Sequence, residues 1–264
     1  MELKTLENVA QKLHEARMNQ KSIPQLSKDG VTLTRDQAYQ VQEFGVTLRE
    51  NLQEKRVGLK MGLTSEGKRR QMNLDSPLYG ELTNAMQVPN AGRFDITKLI
   101  HPKIEPEIAF LISKPLAGEV TRQQVLESCE AVAGCMEILD SRYDQFKYFS
   151  MEDVIADNSS SSHFIVGPWV TETLNIDFRN LQMKMSVDGV VVQQGLSSEI
   201  SGDPVVSVIE LCRLLALRNR NLDAGMIVLA GAATAAVEMK AGQKVDLQID
   251  SLPAVSVSFA SERS

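Results

Sequence analysis

A Glu-x-Glu pair, Glu105-Pro106-Glu107, runs directly into the apolar segment Ile108-Ala109-Phe110-Leu111-Ile112, and this join constrains the fold more than any other stretch of the chain. Side chains alternate in an extended segment, so Glu105 and Glu107 share one face while Ile104, Pro106 and Ile108 take the other. The pair therefore stands at the mouth of a strand that must be buried. Two carboxylates in that position repel each other and lose hydration, a cost that a cation offsets and bulk water does not. Glu137 lies in a second apolar stretch, Val132 to Leu139, where an unpaired carboxylate is equally unfavourable. One shared metal ion accounts for Glu105, Glu107 and Glu137 together. Oxygen-only ligands favour Mg²⁺ or Mn²⁺ with open positions for substrate, whereas zinc recruits His or Cys. The plain alternative is a solvated strand face, and spacing alone does not separate the two.

The 264 residues, 43% of them hydrophobic, suffice for one large domain or two small ones. A net charge of −6 argues against a nucleic-acid or anionic-membrane surface. The basic cluster Lys68-Arg69-Arg70 stands alone against that balance, and a solvated helix face is its common meaning. Cys129, Cys135 and Cys212 are odd in number and lack metal-type spacing, so reduced thiols and a cytoplasmic location are expected. No apolar stretch reaches the length needed to cross a bilayer, and Met1-Glu2-Leu3-Lys4 does not open a leader pattern.

Helical spacing of Leu3, Leu6, Val9, Ala10 and Leu13 predicts a helix over 3–18, and Thr34 is placed to cap a second one carrying Ala38, Val41, Phe44 and Leu48. Val57 to Leu63 reads as a strand, followed by a short helix from Thr64 or Ser65 through Gln71 and then a loop-rich segment. Thr121 to about Ala133 reads as a helix leading into the Glu137 strand, and Phe164 to Val170 as a strand. Asp188-Gly189 between Met183–Val187 and Val190–Val192 is a hairpin signal, because both positions tolerate positive φ. An amphipathic helix over 204–218 and strands over 226–230 and 245–249 complete an α+β pattern.

Four segments together carry a resemblance: Gly58-Leu59-Lys60-Met61-Gly62-Leu63-Thr64-Ser65, Glu105-Pro106-Glu107-Ile108-Ala109-Phe110, Glu137-Ile138-Leu139-Asp140-Ser141-Arg142 and Asp157-Asn158-Ser159-Ser160-Ser161. In order and spacing the chain resembles the 2-keto-4-pentenoate hydratase / 4-oxalocrotonate decarboxylase family of the fumarylacetoacetate hydrolase superfamily. The resemblance implies a single catalytic domain over 1–264, with a helical region at 1–55 and a metal-binding β-rich core at 56–264 built on a mixed, barrel-like sheet. It implies Mg²⁺ or Mn²⁺ on Glu105, Glu107 and Glu137, with Asp140 as the competing third ligand, and Lys60 as the catalytic lysine. Leu78, Asp140, Arg142, Asn158, Ser160 and Ser161 are then expected to line or bind substrate.

Lys60 also stands out on its own terms, because Gly58 and Gly62 flank it symmetrically and permit close approach by a ligand or a strand. Burial beside a cation is expected to disfavour its charged form and suit it to proton transfer. Hydratases of the family tend to carry an acidic residue just after the proline of an Asp-x-Pro segment. Here Asp75-Ser76-Pro77 is followed by Leu78, which makes the site drier and suits loss of CO₂ better than addition of water. The implied activity is metal-dependent decarboxylation of 2-oxo-3-hexenedioate to 2-hydroxypenta-2,4-dienoate in meta-cleavage catabolism of aromatic compounds. Hydration of 2-hydroxypentadienoate, or a non-catalytic role beside such a hydratase, is the alternative. The implied partners are a small 2-oxo dicarboxylate, further copies of the chain, and the pathway's hydratase.

Overall fold

The computed structural model describes residues 1–65, 69, 76–147 and 150–260. Most of the helix expected through Gln71, Lys68 and Arg70 of the basic cluster, and Asp75 lie outside them. The chain opens with α1 (Leu3–Met18) and α2 (Arg35–Glu50), as the periodicity predicts. Thr34 caps α2 in a reciprocal box with Gln37. Then come β1 (Arg56–Gly62), β2 (Leu78–Thr83), β3 (Gln87–Val88), β4 (Gly92–Phe94) and β5 (Lys103–Ile112). A short α3 (Arg122–Ser128) leads into β6 (Cys129–Leu139), and α4 (Met151–Ala156) into β7 (Ser161–Val166). The hairpin β8 (Gln182–Val187) and β9 (Val190–Leu196) turns at Asp188 and Gly189, both at positive φ. After it follow α5 (Pro204–Ala216), β10 (Ile227–Leu229), β11 (Val237–Glu238), β12 (Lys244–Ile249) and β13 (Leu252–Phe259).

Two expectations change. The segment after Pro77 is a strand, not a loop: all six residues of β2 are buried, and it pairs antiparallel with β1. The helix expected to run to about Ala133 stops at Ser128, because the apolar run from Cys129 pairs with β5 from Ile112 to Lys103. An apolar run buried on both faces has no helical or strand period of its own, and long-range pairing decides it.

The strands form a mixed sheet in the order β2-β1-β10-β5-β6-β7-β3, with β11 also on β5, and a second sheet in the order β4-β13-β12-β8-β9. The larger sheet curls into a half-barrel, in line with the expected α+β, barrel-like fold. Its register separates two faces. Leu59, Met61, Tyr79, Ile108, Phe110, Met136, Ile138 and Ile165 point outward into a core that also takes Leu6 of α1, Leu211 of α5 and Val255 of β13. Gly134 and Gly167 let the second sheet close on this face, where an added Cβ at Gly167 would stand 2.7 Å from Val255. The inner face carries a smaller apolar cluster of Leu82, Ala109, Ala133, Cys135, Phe164 and Leu229. Opposite-neighbour pairs put Lys60, Gly62, Leu78, Gly80, Glu105, Glu107 and Glu137 on this same inner face.

Candidate metal centre and catalytic site

Cross-strand register brings the carboxylates together. Glu105 faces Glu137 across the β5–β6 ladder, and Glu107 lies two residues along the same face. Ligand oxygens of Glu105, Glu107 and Glu137 all lie within 4.8 Å of one another. Glu107 and Glu137 are fully buried. Glu107 Oε1 and Glu137 Oε1 are buried without any hydrogen-bond donor among the described residues. Orphaned carboxylate oxygens facing each other in an apolar surround are what a hard divalent cation would satisfy, so the residues present fit Mg²⁺ or Mn²⁺.

Lys60 reaches the same cluster from β1, its Nζ 2.8 Å from Glu137 Oε2 and its side chain 3% exposed. Burial works against its ammonium. The carboxylates of Glu137, Glu105 and Glu107 outweigh burial and hold the group above the ordinary lysine value. Three carboxylates thus surround one ammonium, and a cation held among them would take up part of that negative charge and act on Lys60 in the opposite direction. Glu107 is raised as well, which for an acid disfavours the charged form: burial, then the charges of Glu137 and Glu105, push it well above the usual carboxylate range.

One residue that the sequence reading missed fixes this arrangement. The Gly231 amide donates to Glu107 Oε2 at 2.7 Å. It can do so because β10 ends at Leu229 and β11 starts at Val237, leaving a gap in the ladder opposite Pro106, whose ring has no N–H to offer there. The chain crosses the gap with Ala230 N donating to Ile108 O and Ala233 N to Pro106 O. Gly231 sits at φ +104, with Thr64 2.5 Å from where a Cβ would be, so no other residue fits without displacement. The run of small residues Ala230-Gly231-Ala232-Ala233 was the available signal.

Of the expected substrate contacts, Leu78 is buried on the inner face, directly opposite Gly62 and two residues from Gly80, which faces Lys60. Ser160 Oγ is buried and has no partner among the described residues. Three others hold groups of the protein itself. Asp140 does not join the metal cluster: its carboxylate accepts from the amides of Ile100 (3.0 Å) and His101 (2.6 Å). Arg142 pairs through Nε with Asp157 Oδ1 at 2.5 Å and donates to the carbonyls of Asp140, Asp157 and Ser161. Asn158 clamps Glu81, accepting from its N–H at 2.8 Å and donating to its C=O at 2.9 Å. Through that clamp it holds the turn Asn158–Ser160, whose three residues all have positive φ, against Gly80. Ser161 lines a recess beneath α1 and α2, shared with Arg142, Asp157 and Asn158 and with none of the metal-site carboxylates.

The sequence profile of the fumarylacetoacetate (FAA) hydrolase C-terminal domain matches residues 53–259. A 4-oxalocrotonate decarboxylase from a Pseudomonas species is 42% identical, over 98% of this chain and 99% of its own. A 2-hydroxyhexa-2,4-dienoate hydratase from Comamonas testosteroni is 32% identical, over 96% of this chain and 97% of its own. Among solved structures, 4-oxalocrotonate decarboxylase from Pseudomonas putida G7, complexed with magnesium and adipate, superposes with a TM-score of 0.93 at 35% identity, with 98% of each chain covered. By profile, sequence and backbone alike, this chain belongs to the fumarylacetoacetate hydrolase family.

Proposed function

We propose that the chain is a Mg²⁺- or Mn²⁺-dependent decarboxylase of 4-oxalocrotonate (2-oxo-3-hexenedioate), releasing CO₂ and 2-hydroxypenta-2,4-dienoate. The observation that carries this is the buried Glu105–Glu107–Glu137 cluster with Lys60 against it, on a chain 42% identical to such a decarboxylase. The adipate in the related structure is a six-carbon dicarboxylate, the length of the proposed substrate. Glu105, Glu107 and Glu137 would hold the cation, which when bound supplies the positive charge toward which electrons move at the 2-oxo end of the substrate.

The chain's own residues do the rest. Loss of the C6 carboxylate as CO₂ breaks the C5–C6 bond, and its electron pair shifts through C5=C4 and C3=C2 to the 2-oxo oxygen. Lys60, held by Glu137, is the donor positioned to stabilise that developing enolate oxygen and to hold a proton there. The Gly231 amide keeps Glu107 in register for its role. Leu78, Gly62 and Gly80 give an inner wall without an acidic group, which keeps water from the dienolate and favours decarboxylation over hydration. The buried Ser160 hydroxyl remains as a donor for a substrate carboxylate.

We further propose that the enzyme works in the cytoplasm as a homo-oligomer and passes its labile dienol to a hydratase bound to it. The exposed Val190 and Val191 on the edge strand β9 offer apolar surface for such association. The test is CO₂ release from 2-oxo-3-hexenedioate with and without Mg²⁺. One CO₂ per substrate, only with metal, is expected. Water uptake by 2-hydroxypentadienoate with no CO₂ from the dicarboxylate would make the chain a hydratase. Neither activity, with retained binding to a hydratase, would leave it a non-catalytic partner.

A further inference from the structure

Under the N-terminal helices, away from the metal cluster, lies a recess with about 50 Å³ open to the centre of a water molecule. Leu13 and Arg17 of α1, Val41 and Arg49 of α2, and Arg142 and Asp157 of the core line it. Its charges do not balance. Arg49 is held by Glu54 at 2.9 Å and Arg142 by Asp157 at 2.5 Å, so two of the three guanidinium groups have carboxylate partners. Arg17 has no carboxylate ion pair among the described residues, and its Nη2 is buried without an acceptor there. A guanidinium cannot shed its charge as a lysine can, so burial without a counter-ion is a standing cost. Burial, then the repulsion of Arg49 and Arg142, outweigh the attraction of Glu54 and lower Arg17 to about 10. Ser161, which also lines the recess, is 1% exposed, and its Oγ has no partner among the described residues.

We propose that this recess binds a small monovalent anion, a halide or a carboxylate of formate or acetate size, with Arg17 as the principal donor and Ser161 Oγ as a second. The volume supports that size, since a bound water needs about 10–15 Å³ by the same measure, so a few waters' worth of space is present. The apolar walls from Leu13 and Val41 strengthen the charge attraction, because little water remains to screen it. The bound anion would tie α1 to the first residue of β7, beside the turn Asn158–Ser160 that covers Gly80.

Crystals of the Mg²⁺-loaded protein soaked in sodium bromide test it directly. An anomalous bromine peak in the recess beside Arg17 Nη2 is expected. A recess holding only water, or bromide found solely at the metal carboxylates, would overturn the proposal. Thermal melts give a second reading, with sodium gluconate, too large for the recess, holding ionic strength constant. At ten times the dissociation constant, bromide or formate should raise the melting temperature of wild type by roughly 3–5 °C, and the shift should vanish in Arg17→Met. An equal shift in Arg17→Met would also overturn the proposal. A greater response to formate than to bromide would identify a carboxylate site, and the reverse a halide site.

Discussion

Gly80→Ala tests how closely the wall of the site is packed. Gly80 faces Lys60 across the β1–β2 ladder, and an added Cβ would stand 2.8 Å from the Asn158 carbonyl oxygen, 3.2 Å from Asn158 Oδ1 and 3.3 Å from Ser159 Cβ. Ordinary contact begins at 3.4 Å, so the turn must retreat by about 0.6 Å, and the first obstacle is backbone, not a flexible side-chain tip. Overpacking of this kind costs about 1–3 kcal/mol. The retreat also strains the two Asn158–Glu81 hydrogen bonds, and losing one adds about 1 kcal/mol. A total of roughly 2–4 kcal/mol corresponds to a fall of roughly 5–10 °C in Tm for a chain of this size. Because the turn carries Ser160 over the inner face, kcat/KM should fall as well, by at least about tenfold if the displacement exceeds the tolerance of a positioned contact. Metal affinity should stay near wild type, since β5 and β6, which carry the carboxylates, are untouched. Calorimetry, steady-state kinetics and Mg²⁺ titration on one preparation would check all three. A melting temperature within a degree or two of wild type, or full activity beside a large stability loss, would refute the reasoning.

The contrasting glycine is Gly45 in α2, where nothing lies within 4 Å of an added Cβ; Gly45→Ala should raise stability by about 0.5–1 kcal/mol in a chemical melt. Glu137→Gln should weaken Mg²⁺ binding at least about tenfold. Asp140→Asn should leave binding nearly intact and lower Tm instead, because its carboxylate accepts from the Ile100 and His101 amides; the reverse order in a metal titration would return Asp140 to the ligand set. Lys60→Met, assayed at saturating Mg²⁺, should lower kcat by about a hundredfold or more with a smaller change in KM. Borohydride added during turnover of wild type should trap no adduct on Lys60, since a donor to an enolate forms no imine. His163, pushed down to about 3 by burial and by the nearby charges of Arg49, Arg17 and Lys98, stays neutral in the folded protein. Between that value and its unfolded value near 6.5 only the unfolded chain binds the proton, so stability falls as pH is lowered, by up to about 1.4 kcal/mol per unit. His163→Phe should flatten the Tm-versus-pH curve between about pH 6.5 and 4.5, and an unchanged slope would refute the assignment.

The features legible in the sequence are those that depend on neighbours a few residues away. Alternation along Ile104 to Ile108 put Glu105 and Glu107 on one face, and the register of β5 agrees. Thr34 with Gln37 marked a helix start, and Asp188-Gly189 a hairpin, because caps and turns are satisfied locally. β2 was hidden: Pro77 before it and Gly80 within it read as loop signals, yet Gly80 is small because Asn158, 78 positions later, packs on it. The polar residues show the same limit more sharply. Asp140, Arg142 and Asn158 were visible as hydrogen-bonding groups in the right neighbourhood, but their sequence does not say whether the groups face a ligand or a carbonyl. Their partners come from afar, since the amides of Ile100 and His101, the carbonyl of Ser161 and the backbone of Glu81 all arrive from other elements. Glu107 and Glu137 differ because no backbone donor comes to their Oε1 atoms. A buried acid left unsatisfied by its own chain is what separates a ligand from a brace, and that distinction lies in the tertiary structure, not in the residue type.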